Sequence, residues 1–283
     1  MTTETLAAFQ TDNYEIAEAI APTWERRREE IERACAPVRD WMVRELRPAE
    51  GNTVLELAAG LGDTGFQAAV ALGRRGRLIT TDFSPAMLDA ARRRGEELGV
   101  RNATYEVMDA ERLSLEAASV DGVLCRFGYM LMTDQAKALT ETRRVLRPGG
   151  RVSLACWGAP ERNPFFGLIG MSLGQRGHIP PFEPPPAPGA FSMASPERTT
   201  ALLEGAGFTD VRTEEVPVRF SVPDADGYMS LIADTAGPVA LALRLLPAPQ
   251  WAAVKADIEG AFPQFAVADR FELPGLALCA VAS

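Results

Sequence analysis

The sequence predicts an α/β protein: a doubly wound, mainly parallel sheet of seven strands, with N-terminal helices and a helical or irregular cap. Three observations support this prediction. From residue 52 onward, short apolar runs alternate with helical patterns, as in parallel sheets with crossover helices. A glycine-rich turn separates the first apolar run from its helix. After RVSLACWG, a further helix, strand, insertion and strand complete the count of seven strands.

The elements follow in chain order. Residues 5–47 have the pattern of two or more helices. NTVLELAA is predicted as the first strand, a helix follows over 63–72, and RLITTDF is the second strand. Ser84 as N-cap and Pro85 at the first helical position predict the next helix, which ends at Leu98.

The third and fourth strands are predicted in ATYEVMDA and VDGVLCRF. DQAKALTETRRVL is predicted to be helical, because Asp134 near its start and basic residues near its end complement the helix dipole. RPGG is expected to stop this helix and turn the chain into the fifth strand, RVSLACWG. Residues 52–158 are therefore expected to hold five strand–helix units.

The regular alternation ends beyond Trp157. Residues 159–193 are rich in proline and glycine, and their segment HIPPFEPPPAPG cannot form a regular helix or a central strand. The pattern resumes with the helix SPERTTALLEGAGF, capped by Ser195, and with the strand VRTEEVPVRFSV. Residues 224–266 have a mainly helical pattern, and FELPGLALCAVAS is predicted as the last strand.

These elements predict three parts. The first part is the N-terminal helices, residues 1–50. The sheet core is expected in residues 51–158, 195–222 and 271–283. The insertions, residues 159–194 and 223–270, are expected to form a substrate cap.

Composition narrows the class of ligand. The chain has 283 residues and a formal charge of −9, which argues against nucleic acid and favours a small molecule. No apolar run is long enough for a membrane span, and the N-terminus lacks a secretory pattern, so we expect a cytoplasmic protein. Four widely spaced cysteines predict free thiols, with neither disulfides nor a metal site. Monomer and homodimer both remain open.

The turn after the first strand has the spacing G-x-G-x-x-G, with Gly60, Gly62 and Gly65. Such a turn lets the backbone approach a ligand closely at the carboxyl end of a strand. Asp82, which ends the second strand, can accept the hydroxyls of an adenosine ribose. NAD and S-adenosylmethionine sites both use this arrangement, so these residues predict adenosine without choosing between them.

Two further acids favour S-adenosylmethionine. Glu56 precedes the glycine turn, where a carboxylate suits an ammonium and a sulfonium better than a pyrophosphate. Asp109 and Ala110 end the third strand, where the carboxylate can accept the adenine amino group and the backbone of Ala110 can donate to the ring. For each acid alone, a solvated carboxylate at a strand end is an equally good interpretation.

The segments VLELAAGLGDTG, TTDFSPAML, VMDAERL, VDGVLCRFGYML and VLRPGGRVSLACW resemble the successive motifs of class I S-adenosylmethionine-dependent methyltransferases. The resemblance is closest to small-molecule enzymes related to the ubiquinone and menaquinone methyltransferases. It is strong over residues 52–158 and moderate over 195–222. It implies a Rossmann-like methyltransferase fold, S-adenosylmethionine as cofactor, and methyl transfer to oxygen, nitrogen or carbon of a small acceptor such as an aromatic or lipophilic metabolite or a quinol.

The resemblance also implies which residues bind the cofactor. Those around its methionine part, ribose and adenine are Glu56, Ala58, Gly60, Gly62, Asp82, Phe83, Met87, Asp109 and Ala110. Arg126 and Phe127 would line the site after the fourth strand, and Tyr14 and Trp24 would cover it. The chain departs from the family pattern at Ala58, where glycine is preferred.

Methyl transfer mainly requires alignment of the acceptor, and a general base helps only some acceptors. Three residues are candidates for catalysis. His178 could act as a base or orient the acceptor, although an exposed loop histidine is the alternative. Tyr129 follows the fourth strand, and Arg126 could stabilise an anionic acceptor or the cofactor carboxylate unless it forms a structural salt bridge.

Two other functions remain open at this point. The glycine spacing alone would suit an NAD-dependent oxidoreductase. A protein that keeps the methyltransferase fold could also have a role without methylation, such as cyclisation or binding.

Overall fold

The computed structural model describes residues 3–179 and 187–283. Within these residues, seven strands of four or more residues and one two-residue strand form a single sheet with the order β3-β2-β1-β4-β5-β8-β6, and β7 pairs with β8. The strands are β1 Thr53–Glu56, β2 Arg77–Asp82, β3 Ala103–Val107, β4 Val120–Arg126, β5 Leu146–Trp157, β6 Arg212–Val222, β7 Ala266–Val267 and β8 Arg270–Ala282. Strands β1 to β5 are parallel, whereas β8 runs antiparallel to both β5 and β6.

Helices flank this sheet and extend above its carboxyl edge. They are α1 Thr3–Leu46, α2 Asp63–Leu72, α3 Pro85–Glu97, α4 Gln135–Val145, α5 Pro164–Gln175, α6 Pro196–Gly205, α7 Ala225–Thr235, α8 Pro238–Arg244 and α9 Ala248–Ala261. The predicted caps are present at Ser84, Asp134 and Ser195, each of which accepts a hydrogen bond from a backbone N–H in the first turn. None of the helices in the described ranges is long and apolar enough to cross a bilayer.

The predicted fold class, a doubly wound and mainly parallel α/β sheet, is confirmed. The strand order reverses at β1, whose neighbours are β2 on one side and β4 on the other. Open sheets of this kind bind ligands outside the carboxyl ends of the strands at such a reversal. The glycine turn after β1 therefore lies at the expected ligand edge.

The prediction of two or more N-terminal helices is wrong, because α1 is one helix of 44 residues. Pro22 and Pro37 lie inside it, and each removes one helical hydrogen bond. Packing holds the helix together across both positions: Ile20 and Ala21 are buried against Met87 of α3. Tertiary contacts thus offset the local cost of proline.

In the insertion after β5, α5 occupies the first part, before the segment HIPPFEPPPAPG. Pro164 stands at the first helical position, where no N–H is required. Phe165, Ile169 and Leu173, four residues apart, form the buried face of this helix. Residues 180–186, which fall in the proline-rich segment, lie outside the described residues.

Two further predictions are wrong in detail. No helix joins β3 to β4, so the described chain does not contain five strand–helix units between residues 52 and 158. RPGG lies inside β5 rather than before it: the pairing shifts from Val120 with Leu146 to Gly122 with Arg151, so the segment bulges out of the ladder. The predicted division into core and cap remains a prediction.

Candidate active site

The glycine turn leaves the sheet between the two neighbours of β1. The N–H of Leu57 donates to the carbonyl of Leu124 at 2.8 Å, and the N–H of Ala59 donates to the carbonyl of Thr81 at 2.9 Å. The turn is therefore fixed to β4 and β2 before it enters α2. This anchoring holds the loop backbone at the carboxyl edge of the sheet.

Three residues of this turn adopt left-handed backbone conformations. Ala58, Gly60 and Gly62 have φ values of 48°, 56° and 80°. Glycine adopts this region without steric cost, whereas alanine does so only with strain. Ala58, where the family pattern prefers glycine, thus carries a methyl group in a conformation that suits glycine better.

The side chain of Glu56 explains why residue 65 is a glycine. The carboxylate of Glu56 is buried beneath α2, where Oε1 accepts the N–H of Gly65 at 2.7 Å. A Cβ at residue 65 would lie 2.2 Å from Oε2 of Glu56. The last glycine of the G-x-G-x-x-G pattern therefore makes room for a buried carboxylate. Burial raises the pKa of Glu56 well above its usual value, against the opposing effects of the Gly65 N–H and of Arg126.

Asp82 joins the end of β2 to the glycine turn. One carboxylate oxygen accepts the N–H of Gly60 at 2.9 Å and the other accepts the N–H of Ser84 at 3.0 Å. Burial raises the pKa of Asp82, and these backbone donors counteract the shift. The side chain is thus held at the position predicted for ribose recognition.

The first half of α1 crosses this edge of the sheet. Tyr14 meets the ring of Phe83 edge-on at 6.0 Å, and Met87 is buried against this part of α1. A Cβ on Gly60 would lie 3.8 Å from Cζ3 of Trp24, so the indole lies over the glycine turn. Two side chains of α1 and two that follow β2 thus come together, although the two segments are distant in sequence: Tyr14, Trp24, Phe83 and Met87.

Glu18 was missed by sequence reasoning. Its Oε1 accepts the hydroxyl of Ser84 at 2.6 Å and the N–H of Ala86 at 3.0 Å. Glu18 thus supplies a negative charge to the first turn of α3, which is a favourable position for it. An acid in the middle of a polar helix gave no signal of this contact.

Asp109 and Ala110 lie two and three residues beyond the end of β3. The N–H of Met108 donates to the carbonyl of Asp82 at 3.0 Å, which places this segment beside the end of β2. Asp109 is exposed and accepts the N–H of Glu111 at 2.8 Å, whereas Ala110 is buried. This arrangement leaves the Asp109 carboxylate accessible at the edge predicted to recognise adenine.

Arg126, the last residue of β4, forms a largely buried ion pair with Glu32 of α1, each side chain being 14% exposed. Burial alone would lower the pKa of Arg126, but Glu32 and the other nearby acids raise it. Among the described residues, Nη1 of Arg126 and Oε2 of Glu56 are buried without a hydrogen-bond partner. A free cationic donor and a free carboxylate oxygen therefore remain in the interior at this edge.

Aromatic side chains continue the site beyond β4 and β5. Phe127 has a φ of 60° and stacks on Trp157 with ring centroids 4.1 Å apart. The ring of Phe166 of α5 meets the ring of Trp157 edge-on, with the ring centroids 4.9 Å apart. Phe127 and Phe166 are partly exposed, so this aromatic wall, formed by Phe127, Trp157 and Phe166, is accessible to a ligand.

The two other predicted catalytic residues are placed less favourably. Tyr129 is fully buried, its hydroxyl lies 2.6 Å from that of Thr142, and burial raises its pKa well above the usual value. This placement argues against Tyr129 as a base. His178 follows the end of α5 and makes a backbone hydrogen bond to Leu173, and no described contact of its imidazole brings it to the glycine turn.

The four cysteines are not activated as nucleophiles. All four are buried, and burial raises the pKa of Cys35, Cys125 and Cys156 to about 12. Such thiols are poor nucleophiles at neutral pH. These positions give no support to a chemistry based on thiolates.

The fold is that of Rossmann-like methyltransferases, a class to which the solved structures and relatives below belong. Residues 37–165 match the model of the ubiE/COQ5 methyltransferase family. The ubiquinone/menaquinone biosynthesis C-methyltransferase UbiE of Acidiphilium cryptum is 41% identical over 105 residues, covering 37% of this chain and 41% of that relative. The chain spans about half the length, or less, of the curated relatives it matches. The predicted resemblance to this group is confirmed.

Solved structures share the fold. A methyltransferase from Aquifex aeolicus, described as dependent on S-adenosylmethionine, superposes with a TM-score of 0.53 at 20% identity, covering 69% of this chain and 92% of that one. The [4+2]-cyclase SpnF superposes with a TM-score of 0.54 at 16% identity, covering 87% and 79%. The second case illustrates that this fold does not determine a single reaction.

Proposed function

We propose that the protein binds S-adenosylmethionine at the carboxyl edge of β1, β2 and β4 and transfers its methyl group to a small organic acceptor. The observation that carries the proposal is that Oε2 of Glu56 and Nη1 of Arg126, both at this edge, are two of the eight buried side-chain N and O atoms without a hydrogen-bond partner among the described residues. Buried polar groups without partners are costly, so this pair indicates a ligand that supplies both a cation and an anion. The amino acid part of the cofactor has an ammonium and a carboxylate.

The remaining residues also fit this cofactor. The turn of Ala58, Gly60 and Gly62 would face its methionine part, and Trp24 would close the space above Gly60. Asp82 would accept the ribose hydroxyls. Phe83, Met87 and Tyr14 would enclose the adenine, whose edge Asp109 and Ala110 would recognise. The carboxylates of Glu56 and Asp82, both costly to ionise when buried, suit a ligand with positive charge.

The bound cofactor would supply an electrophilic methyl group on sulfur, so the protein must chiefly orient the acceptor and exclude water. The aromatic wall of Phe127, Trp157 and Phe166 would hold a planar or lipophilic acceptor beside the cofactor. Arg126 would favour an acceptor or cofactor group with negative charge. Tyr129 has no part in this proposal, and no described contact of the His178 imidazole supports a role for it at the glycine turn.

The relatives guide the choice of acceptors. The name of the Acidiphilium cryptum relative specifies C-methylation in ubiquinone and menaquinone biosynthesis. The matched residues, 37–165, include the glycine turn and Arg126 but not α6 to α9. A quinol is therefore the first acceptor to test, together with phenols and amines. We further propose that the enzyme acts in the cytoplasm on its own or as a homodimer, and that residues 159–194 and 223–270 select the acceptor.

Calorimetric titration tests the cofactor. We expect binding of S-adenosylhomocysteine and no binding of NAD, and the opposite result would favour an oxidoreductase. Asp82→Asn should weaken the binding at least tenfold, because it removes a buried acceptor of charge-assisted hydrogen bonds. Asp89→Asn is the matched control, since Asp89 is an exposed residue of α3 that pairs only with Arg92 among the described residues.

Transfer of label from S-adenosylmethionine tests the reaction. The panel contains a quinol, phenols and amines, and we expect label in at least one of them. If the cofactor binds but no acceptor is labelled, a role without methylation becomes the better interpretation, as for the cyclase that shares the fold.

A further inference from the structure

Asp234 connects the cap to the helix that covers the glycine turn. It is the penultimate residue of α7, and its side chain is only 16% exposed. Its carboxylate accepts Nε of Arg27 at 2.9 Å and Nη2 of Arg26 at 3.2 Å. Arg244 of α8 lies 3.7 Å from the same carboxylate. Three guanidinium groups from two helices thus converge on one acid.

The backbone at the end of α7 makes two more bonds to α1. The hydroxyl of Thr23 donates to the carbonyl of Asp234 at 2.6 Å, and the indole N–H of Trp24 donates to the carbonyl of Thr235 at 3.0 Å. The last carbonyls of a helix have no partner within the helix, so α1 supplies what α7 lacks. We call these contacts of Thr23, Trp24, Arg26 and Arg27 with Asp234 and Thr235 the α1–α7 clamp.

An acid at this position is unfavourable for α7 itself. The carboxyl end of a helix carries a partial negative charge, so a carboxylate there is repelled unless cations surround it. Asp234 is therefore poorly explained by the stability of α7 and well explained by its contacts with α1.

The α1–α7 clamp contacts α1 next to Pro22, where the hydrogen bonding of the helix is interrupted. Pro22 removes one hydrogen bond of the helix, and the clamped residues begin immediately after it. Trp24, whose ring lies over Gly60, belongs to the clamp. Holding residues 23–27 therefore fixes the indole over the glycine turn.

The other part of α7 contacts the aromatic residues of the cap. The hydroxyl of Tyr228 donates to the carbonyl of Phe165 at 2.5 Å, and its ring meets that of Phe165 edge-on at 5.7 Å. Phe165 in turn meets Phe166 of the aromatic wall at 5.1 Å. Helix α7 thus contacts Phe165, which packs on the aromatic wall, and also the part of α1 that lies over the glycine turn.

We propose that Asp234 is a positioning residue: through the α1–α7 clamp it holds Trp24 over the glycine turn and so slows release of the cofactor. This inference rests on the proposed function, because it requires that the glycine turn bind S-adenosylmethionine. It also accounts for the placement of the cap helix against α1 rather than against the sheet alone.

The test compares four variants for binding of S-adenosylhomocysteine, by calorimetry and by stopped-flow dissociation. Asp234→Asn and Trp24→Ala should each raise the dissociation constant about tenfold, a usual size for coupling between sites, mainly through faster dissociation. The double variant should bind no more than twofold more weakly than Trp24→Ala alone, because both changes remove the same contact. Asp226→Asn, on α7 but paired with Lys255, should change binding less than twofold.

The outcomes separate the two proposals. If the wild-type protein fails to bind S-adenosylhomocysteine, the proposed function is wrong. If it binds and Asp234→Asn binds equally well, or if the effects of Asp234→Asn and Trp24→Ala multiply, the clamp does not act on Trp24. Arg27→Gln removes the guanidinium whose Nε donates to the Asp234 carboxylate at 2.9 Å, and it carries the same test if Asp234→Asn does not fold.

Discussion

The explanation of Gly65 by Glu56 gives a quantitative prediction for Gly65→Ala. The added methyl group would lie 2.2 Å from Oε2 of Glu56 and 3.1 Å from Cδ1 of Leu78. Overpacking of this kind costs about 1–3 kcal/mol, whereas glycine to alanine within a helix gains up to about 1 kcal/mol. We therefore expect the free energy of unfolding to fall by about 1–2 kcal/mol.

Gly260→Ala is the matched control, because Gly260 is an exposed residue of α9 with no atom near a Cβ. It should gain the helical contribution without the clash, so the two variants should differ by about 1–3 kcal/mol in urea unfolding. Glu56→Ala should relieve the clash. The double variant of Glu56→Ala and Gly65→Ala should therefore be more stable than the sum of the two single changes predicts, by at least about 0.5 kcal/mol. Equal stability of the Gly65 and Gly260 variants, or additive effects of the changes at residues 56 and 65, would refute this explanation.

Three other predictions concern the same edge. Relative to the wild-type protein, Glu56→Gln should raise the free energy of unfolding, and this difference should grow as the pH rises. A pKa of Glu56 that is raised in the folded state favours folding below the usual pKa of 4.5, and this contribution is lost as the pH rises through the folded pKa. A pH-independent difference in urea unfolding would contradict it. Tyr129→Phe should cost about 1 kcal/mol, because it removes one buried hydrogen bond, and should leave label transfer unchanged; loss of transfer by a folded variant would restore a catalytic role. Ala58→Gly should retain binding of S-adenosylhomocysteine, whereas Ala58→Val, with a branched side chain at a φ of 48°, should lower the thermal midpoint.

Predictions from sequence succeeded where a feature depends on residues close in the chain. The caps at Ser84, Asp134 and Ser195 each need only a side chain and an N–H three residues later, and all three are present. The alternation of strands and helices, which sets the fold class, is likewise a local pattern. The acids at the ends of β1 and β2 could be placed because parallel strands bring their carboxyl ends to one edge.

Predictions failed where contacts distant in the chain override local preferences. The pattern of residues 5–47 predicts two or more helices, but packing of α1 on the sheet and on α3 keeps it continuous. Tyr129 is likewise placed by distant contacts, which bury its ring in the core, and its predicted catalytic role stays a prediction. Glu32 and Glu18 belong to the site only because α1 crosses it, and nothing in their own segment indicates this.

Glu56 shows how one buried charge constrains both function and fold. Its carboxylate requires glycine at residue 65, supplies a hydrogen bond to the first turn of α2, and keeps one oxygen free in the interior. A carboxylate placed only to cap α2 could do so with less burial, as Asp134 does for α4. The additional cost of burying Glu56 is accounted for if a cation binds beside it. The burial of this costly acid, together with the glycine that accommodates it, therefore favours a cationic ligand at this turn over a pyrophosphate.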